Sequence, residues 1–268
     1  MKRVAVKIAY LGAGFNGSQR QPCLHTVESE IIGDICEVLR IRPDSVELCM
    51  AGRTDKGVNA LGNVAVFNTG FEDVPTLVKA LNSKSRRIFY RGYALVGADF
   101  NPRFAELRIY EYVFPRKGMD PGLVRACCEL FVGEHDFKRF CRPDGKPTVA
   151  TVDSVSVEER GRNLVLTFKA RYFLWNMIRR IAAAVMTVGS GSATLDDVRD
   201  ALEGREINFG LARADALTLV DTLYPDLEFA PAERKPCAQR VGGERFNLDL
   251  RDRFYTSLED DDRDDRIG

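Results

Sequence analysis

Residues 51–64, AGRTDKGVNALGNV, set one carboxylate, Asp55, between Arg53 and Lys56, with glycines at 52, 57 and 62 around it. Thr-Asp-Lys-Gly is ordinary turn chemistry, and by that measure alone Asp55 is a solvated turn residue. Two features exceed what a turn needs. The glycines let backbone approach a ligand closely, and cations beside a carboxylate in a cleft favour its charged form. A charged, positioned Asp can act as nucleophile or general base. A second candidate is the pair Arg179-Arg180 inside the apolar stretch 174–188. A guanidinium buried in such a helix needs a carboxylate or ligand partner, so at least one of the two is expected to face a polar cleft.

Gly12-Ala13-Gly14-Phe15-Asn16-Gly17 follows a strand and fits G-x-G-x-x-G, the dinucleotide fingerprint. That site requires a helix to begin within the motif, so that its N-terminus faces the pyrophosphate. Pro22 stands where such a helix would be in mid-course. A nucleotide-dependent oxidoreductase is therefore a minor alternative. The loop is read instead as one that approaches something closely. The run Lys138–Arg142 and the cations Lys84, Arg86 and Arg87 read as solvated charge that could also touch an RNA backbone. Phe89, Phe137 and Phe140 read as packing before base stacking.

The elements that must position these residues follow from periodicity. Val4, Val6, Ile8 and Tyr10 alternate as in a strand. Thr26 opens a helix over 26–41, with apolar residues at helical spacing. Strands are expected at 46–51 and 63–68, with the Asp55 motif between them, then a helix at 74–82 with Pro75 in its first turn. Strands at 88–96 and 107–114 flank a Pro-containing link. A helix at 120–131, a basic loop, a hairpin of 152–159 with 163–171, the buried helix 174–188, a Thr194-capped helix at 195–203 and a strand at 216–223 complete the body. This predicts an α+β fold. Its organisation is 1–103, 104–230 and an appended 231–268 that holds one strand at 245–250, a short helix and a disordered acidic end.

The 268 residues carry 39 basic and 39 acidic side chains. Without residues 259–268, which hold six acids and two arginines, the body has 37 basic against 33 acidic groups. This balance is compatible with nucleic-acid binding without arguing for it. Seven cysteines with no C-x-x-C, and only His25 and His135 beside them, argue against a metal site. Reduced thiols point to a cytoplasmic protein. The amino-terminal stretch alternates in polarity and is not a signal peptide, and the longest apolar stretch is too short to span a bilayer.

The motif AGRTDKGVNALGNVAVF resembles the A-G-R-T-D-x-G-V-H-A-x-G-Q-V hallmark of the tRNA pseudouridine synthase A family. The resemblance continues in order through IAYLGAGFNGSQRQP, FNPRFAELRIYEYVF, GEHDFKRF, FLWNMIRRIAAAVMTVGSG and LTLVDTLYPD, from about residue 4 to 226. It implies two similar-sized α/β halves forming one long mixed, mostly antiparallel sheet flanked by helices, with a central RNA-binding cleft. It implies isomerisation of uridine to pseudouridine in the anticodon stem-loop of tRNA, at positions 38–40, by a homodimer that needs no cofactor or metal.

Carried over residue by residue, the resemblance makes Asp55 the catalytic carboxylate, able to attack C1′, add to C6 or remove a sugar proton. Tyr110 becomes the tyrosine that stacks on the target base. Without the family, Tyr110 and Tyr112 compete, and either could be core. Arg179 becomes the Asp partner, and Arg53 the phosphate contact that helps extrude the base. Gln19, Arg20, Asn59 and Arg103 become substrate-binding residues, and Leu219 a border of the uracil pocket. Asn59 stands in place of the usual His, Ser18 in place of the usual Trp, and Trp175-Asn176 in place of residues often occupied by paired His. These departures bear on substrate choice. A non-catalytic RNA-binding module remains the alternative.

Overall fold

The computed structural model describes residues 1–233 and 235–264, with side chains through Arg253 apart from Pro236. The chain runs β1 (Lys2–Tyr10), α1 (Val27–Leu39), β2 (Cys49–Met50), β3 (Asn59–Thr69), α2 (Val74–Lys84), β4 (Phe89–Val96) and β5 (Leu107–Pro115). It continues through α3 (Pro121–Glu129), β6 (Gly133–Asp136), β7 (Val149–Val152), β8 (Ser154–Arg160), β9 (Asn163–Ala170) and α4 (Met177–Gly189). α5 (Leu195–Leu202), β10 (Leu217–Leu223), β11 (Ala230–Pro231) and α6 (Lys235–Asp264) close it.

Nine strands form one sheet in the order β11-β4-β1-β3-β10-β5-β9-β8, with β2 beside β3. Every pairing in it is antiparallel except β3 with β10. The α+β architecture and the mixed, mostly antiparallel sheet are as expected. The parallel seam is short, with Thr218 opposite Asn59 and Leu219 opposite Ala60. It joins strands drawn from the first hundred residues to strands from the second. Gly62 makes the approach possible: a Cβ there would lie 2.5 Å from the Val220 carbonyl oxygen, well inside contact distance. Helices α1 to α5 all bury residues in one large cluster on one face of the sheet. On β1, Val4, Val6 and Ile8 point into it, while Ala5 joins a smaller cluster on the other face with Val64, Val66 and Tyr224. The alternation that marks a strand is thus split between two cores.

Local chemistry sets the helix starts. Thr26 and Thr194 each make a reciprocal capping box, with Ser29 and Asp197 respectively. Asp73 and Asp120 cap helices that carry proline in the first turn. Several boundaries differ from expectation. The basic loop contains β6, which pairs with β7, followed by a 3-10 turn whose Phe137 and Phe140 are fully buried; these rings pack in the core and are not stacking platforms. The expected strand at 245–250 is part of α6, which replaces the short helix as well and carries the acidic end as far as Asp264. Residues 265–268 of that end lie outside the described residues. α6 is tied to the body by Arg240, whose guanidinium donates to the carbonyls of Ser85 and Ile88 and lies 3.8 Å over the Phe89 ring.

All seven cysteines are free, and burial pushes the Cys127 thiol up to about 12. Among the described residues no helix is long and apolar enough to cross a membrane.

Candidate active site

Asp55 sits in the loop between β2 and β3, and the loop is held from below. The backbone N–H of Thr54 donates to Ser18 Oγ at 2.8 Å, its carbonyl accepts from the Ser18 N–H at 3.0 Å, and its hydroxyl meets the Tyr10 hydroxyl at 2.9 Å. The Val58 N–H then closes a turn on the Asp55 carbonyl at 3.1 Å, with Gly57 at φ +87°, a value that favours glycine. The Gly12–Gly17 loop explains its own glycines here. A Cβ on Gly12 would fall 2.3 Å from the Gly57 and Val58 backbone, and one on Gly17 would lie 3.3 Å from the Thr54 carbonyl oxygen. These glycines thus allow a close approach to the Asp55 loop, while Asn16 and Gly17 also line the cleft. No α-helix begins before Val27, which removes the geometry a dinucleotide site requires.

From the second half of the chain, the start of α4 reaches Asp55. Arg179 Nη1 lies 3.4 Å from Asp55 Oδ2, and its Nε donates to the Ala212 carbonyl at 2.8 Å. The indole N–H of Trp175 donates to Asp55 Oδ1 at 3.0 Å. The predicted Asp–Arg pair is thus brought together across 124 residues of chain. Of the two helix arginines, Arg179 is the one that meets the cleft; Arg180 Nε is buried without a hydrogen-bond partner, and nothing in the structure explains it. The carboxylate lies in a cleft of about 650 Å³ lined from both ends of the chain, within the range of about 300–1,000 Å³ usual for ligand sites.

Tyr110 lines this cleft from β5, 8% exposed, with its ring edge-on to Phe173 at 5.3 Å. Burial raises its phenol well above the ordinary value, with Arg108 acting against that and Tyr10 and Asp55 adding to it. Tyr112, on the same face of the strand, belongs to the core and does not line the cleft. Arg53, Gln19 and Arg103 line the cleft as exposed side chains.

Three predicted residues lie elsewhere. Arg20 is exposed outside the cleft, with its backbone N–H on Glu28. Asn59 works as a clip at the parallel seam, accepting from the Gly12 N–H at 2.9 Å and donating to the Asp215 carbonyl at 2.8 Å. Leu219 is 0% exposed in the core, and Leu217, one turn of the pleat earlier, lines the cleft instead. Strand periodicity gives the face and not the depth, and of these two inward-facing leucines Leu217 is the one that reaches the cleft.

Sequence reasoning passed over three contributors. Ser18, treated as a departure, anchors the Asp55 loop. Trp175, treated as a departure, touches the carboxylate. Arg108, buried in the cleft wall, donates to the carbonyls of Ala51, Arg103 and Arg171, tying the Asp55 loop to the inter-half link and to the end of β9. Its position inside an alternating strand was the available signal: an arginine at a buried register position needs partners. Among the described residues no group of three or more His, Cys, Asp or Glu could hold a metal ion.

The family model for tRNA pseudouridine synthase matches residues 127–225. A tRNA pseudouridine synthase A of Pyrococcus horikoshii is 38% identical over 263 residues, covering 96% of this chain and 95% of its own. One from Thermococcus sibiricus is 43% identical over 202 residues, 73% of this chain and 74% of its own. Among solved structures, the crystal structure of the archaeal box H/ACA sRNP Nop10-Cbf5 complex aligns at a TM-score of 0.34 and 14% identity, over 69% of this chain and 44% of that one, too distant a likeness to argue from.

Proposed function

This chain belongs to the tRNA pseudouridine synthase A family, and from that premise we propose that it isomerises uridine to pseudouridine in tRNA, at positions 38–40 of the anticodon stem-loop, with Asp55 as the catalytic carboxylate. The observation that carries this reading is the Asp55–Arg179 pair, 3.4 Å apart, in a cleft wide enough for an extruded nucleotide and walled by Tyr110. A carboxylate on a tightly held loop, with a cation supplied by the opposite half of the chain, is the arrangement a reaction at a ribose or a pyrimidine ring needs.

The reaction balances without an added group. The N1–C1′ bond breaks, the uracil turns, a C5–C1′ bond forms, the C5 proton leaves and N1 takes one up. Attack at C1′, addition at C6 and removal of a sugar proton all start from one carboxylate oxygen within reach of the nucleoside. Asp55 supplies that oxygen, and Arg179 balances its charge once the base has displaced water. Tyr110 lies against the uracil. Arg53 and Arg103, exposed on the rim, meet phosphates and help hold the target out of its stack, an extrusion that costs a few kcal/mol. Residues 1–103 and 104–230 are the two halves whose junction makes the cleft, and the protein acts in the cytoplasm as a homodimer. Free thiols support the cytoplasmic location, and the family resemblance supports the dimer.

The test is pseudouridine formation on an unmodified tRNA transcript by wild type and Asp55→Asn. Wild type is expected to convert uridines within positions 38–40, and Asp55→Asn to bind the same RNA while forming none. If neither protein forms pseudouridine and both bind, the chain is an RNA-binding module and the proposal fails.

A further inference from the structure

Trp175 is the one tryptophan of the chain, and it lies at the carboxylate. A half-exposed ring in a nucleic-acid cleft is ordinarily a surface on which a base stacks. The geometry here is of another kind. The indole edge is committed, because its N–H donates to Asp55 Oδ1 at 3.0 Å. The guanidinium of Arg142 lies 4.0 Å from the ring centroid, so one face is covered. The Arg142 N–H also donates to the Trp175 carbonyl at 2.8 Å, clamping the same residue through its main chain.

The backbone is shaped to deliver this contact. Asn176, between Trp175 and the first residue of α4, has φ +61° and ψ +5° and makes no side-chain cap bond. That is the left-handed region, which asparagine tolerates better than most residues. The turn sends the indole off the helix line toward Asp55, while Arg179, on the first turn of α4, reaches the other oxygen. Both donors to the carboxylate therefore come from residues 175–179, fixed to each other by the helix start. The terminal torsion of an aspartate is otherwise broad. One donor on each oxygen, held by one rigid segment, removes that freedom.

We propose that Trp175 is a positioning residue of the isomerisation, its indole N–H fixing the orientation of the Asp55 carboxylate together with Arg179, and Arg142 holding the ring in place. This rests on the reading of Asp55 as the catalytic carboxylate.

The experiment measures single-turnover pseudouridine formation, RNA affinity and thermal melting for wild type, Trp175→Phe and Trp175→His on an unmodified tRNA transcript. Trp175→Phe keeps an aromatic ring and loses the donor. It is expected to slow the step by about 10²-fold, the scale of a small misplacement of a catalytic group, with affinity changed by less than about threefold. Trp175→His restores a donor and is expected to recover the rate to within about tenfold of wild type. Independently, Asp55→Ala is expected to shift the emission of the single indole and its quenching by acrylamide, since the ring loses its anchor. The proposal is overturned by a wild-type rate in Trp175→Phe, by a His variant no faster than the Phe variant, by an affinity loss as large as the rate loss, or by emission that Asp55→Ala leaves unchanged. If Trp175→Phe does not fold, the His rate and the emission arm decide. A wild-type protein that forms no pseudouridine sinks the functional reading, and this proposal with it, and is told apart by that control alone.

Discussion

At the scale of single residues, the site depends on how two charges are held. Arg179 does more than oppose Asp55. Its Nε is anchored on the Ala212 carbonyl at 2.8 Å, which aims the guanidinium, so that Nη1 meets both Asp55 and the Asn176 side-chain oxygen at 3.4 Å. A lysine has the charge without the planar fork. Arg179→Lys is accordingly expected to lower the single-turnover rate by about 10²-fold with little change in RNA affinity. A variant that turns over normally would show that only the charge matters. Residue types made Asp55 and one of the two helix arginines legible in the chain. They could not assign Ser18 or Trp175, because a serine that anchors a loop and an indole that holds a carboxylate look like any other serine or tryptophan until the partner is next to them.

At the scale of elements, α1 carries a charge the site does not use. Asp34 is buried on the face of α1 toward β4 and accepts from the Tyr90 hydroxyl at 2.8 Å. Burial pushes its carboxyl up to about 6, against the hydrogen bonds of Ser85 and Tyr90, with Glu30 and Glu37 adding to the rise. An unfolded Asp titrates near 3.9, and each pK unit is worth about 1.4 kcal/mol. The native state therefore holds more protons than the unfolded chain between these values. Its contribution to stability is fully present below about pH 4 and is lost as pH rises through about 6. Asp34→Asn keeps an acceptor for Tyr90 without the titration. Denaturant melts of both proteins from pH 4 to 8 are expected to show the wild type losing stability relative to the variant by a few kcal/mol; parallel curves would place the titration elsewhere. The caps at Thr26 and Thr194 follow from local sequence and appear where expected, while Asp73 and Asp120 cap the two helices that carry proline in the first turn. Residues 245–250 do not: RFNLDL alternates like a strand, yet it lies in α6 with Phe246, Leu248 and Leu250 exposed. Where no core contact selects a face, the period of the apolar residues loses its meaning.

At the scale of the whole molecule, the parallel seam between β3 and β10 is what makes a cleft. It holds the Asp55 loop of one set of strands opposite the α4 start that follows β9. The rim cations are then the groups that RNA meets first. Phosphate contacts release counterions, so affinity is expected to fall steeply with salt, and Arg53→Ala to reduce the slope of log affinity against log salt by about 1. An unchanged slope would mean that Arg53 reads something other than phosphate. Net charge could not have indicated this, since the acidic end cancels the excess of the body.

Taken alone, the sequence determined the α+β class and most strands and helices of the body, because those depend on neighbours a few residues apart; it did not give β6 or the long α6. Through its ordered motifs it also marked Asp55, Tyr110 and Arg179. The tertiary structure decided what these residues touch: that the Gly12–Gly17 loop packs on the Asp55 turn, that Leu217 and not Leu219 borders the cleft, that Asn59 clips the seam, and that Trp175 holds the carboxylate. Each of these is a contact between segments far apart in the chain. Their distances are set by the registers of β1 and β10 on β3 and by one left-handed turn, none of which has a local signature strong enough to read in advance.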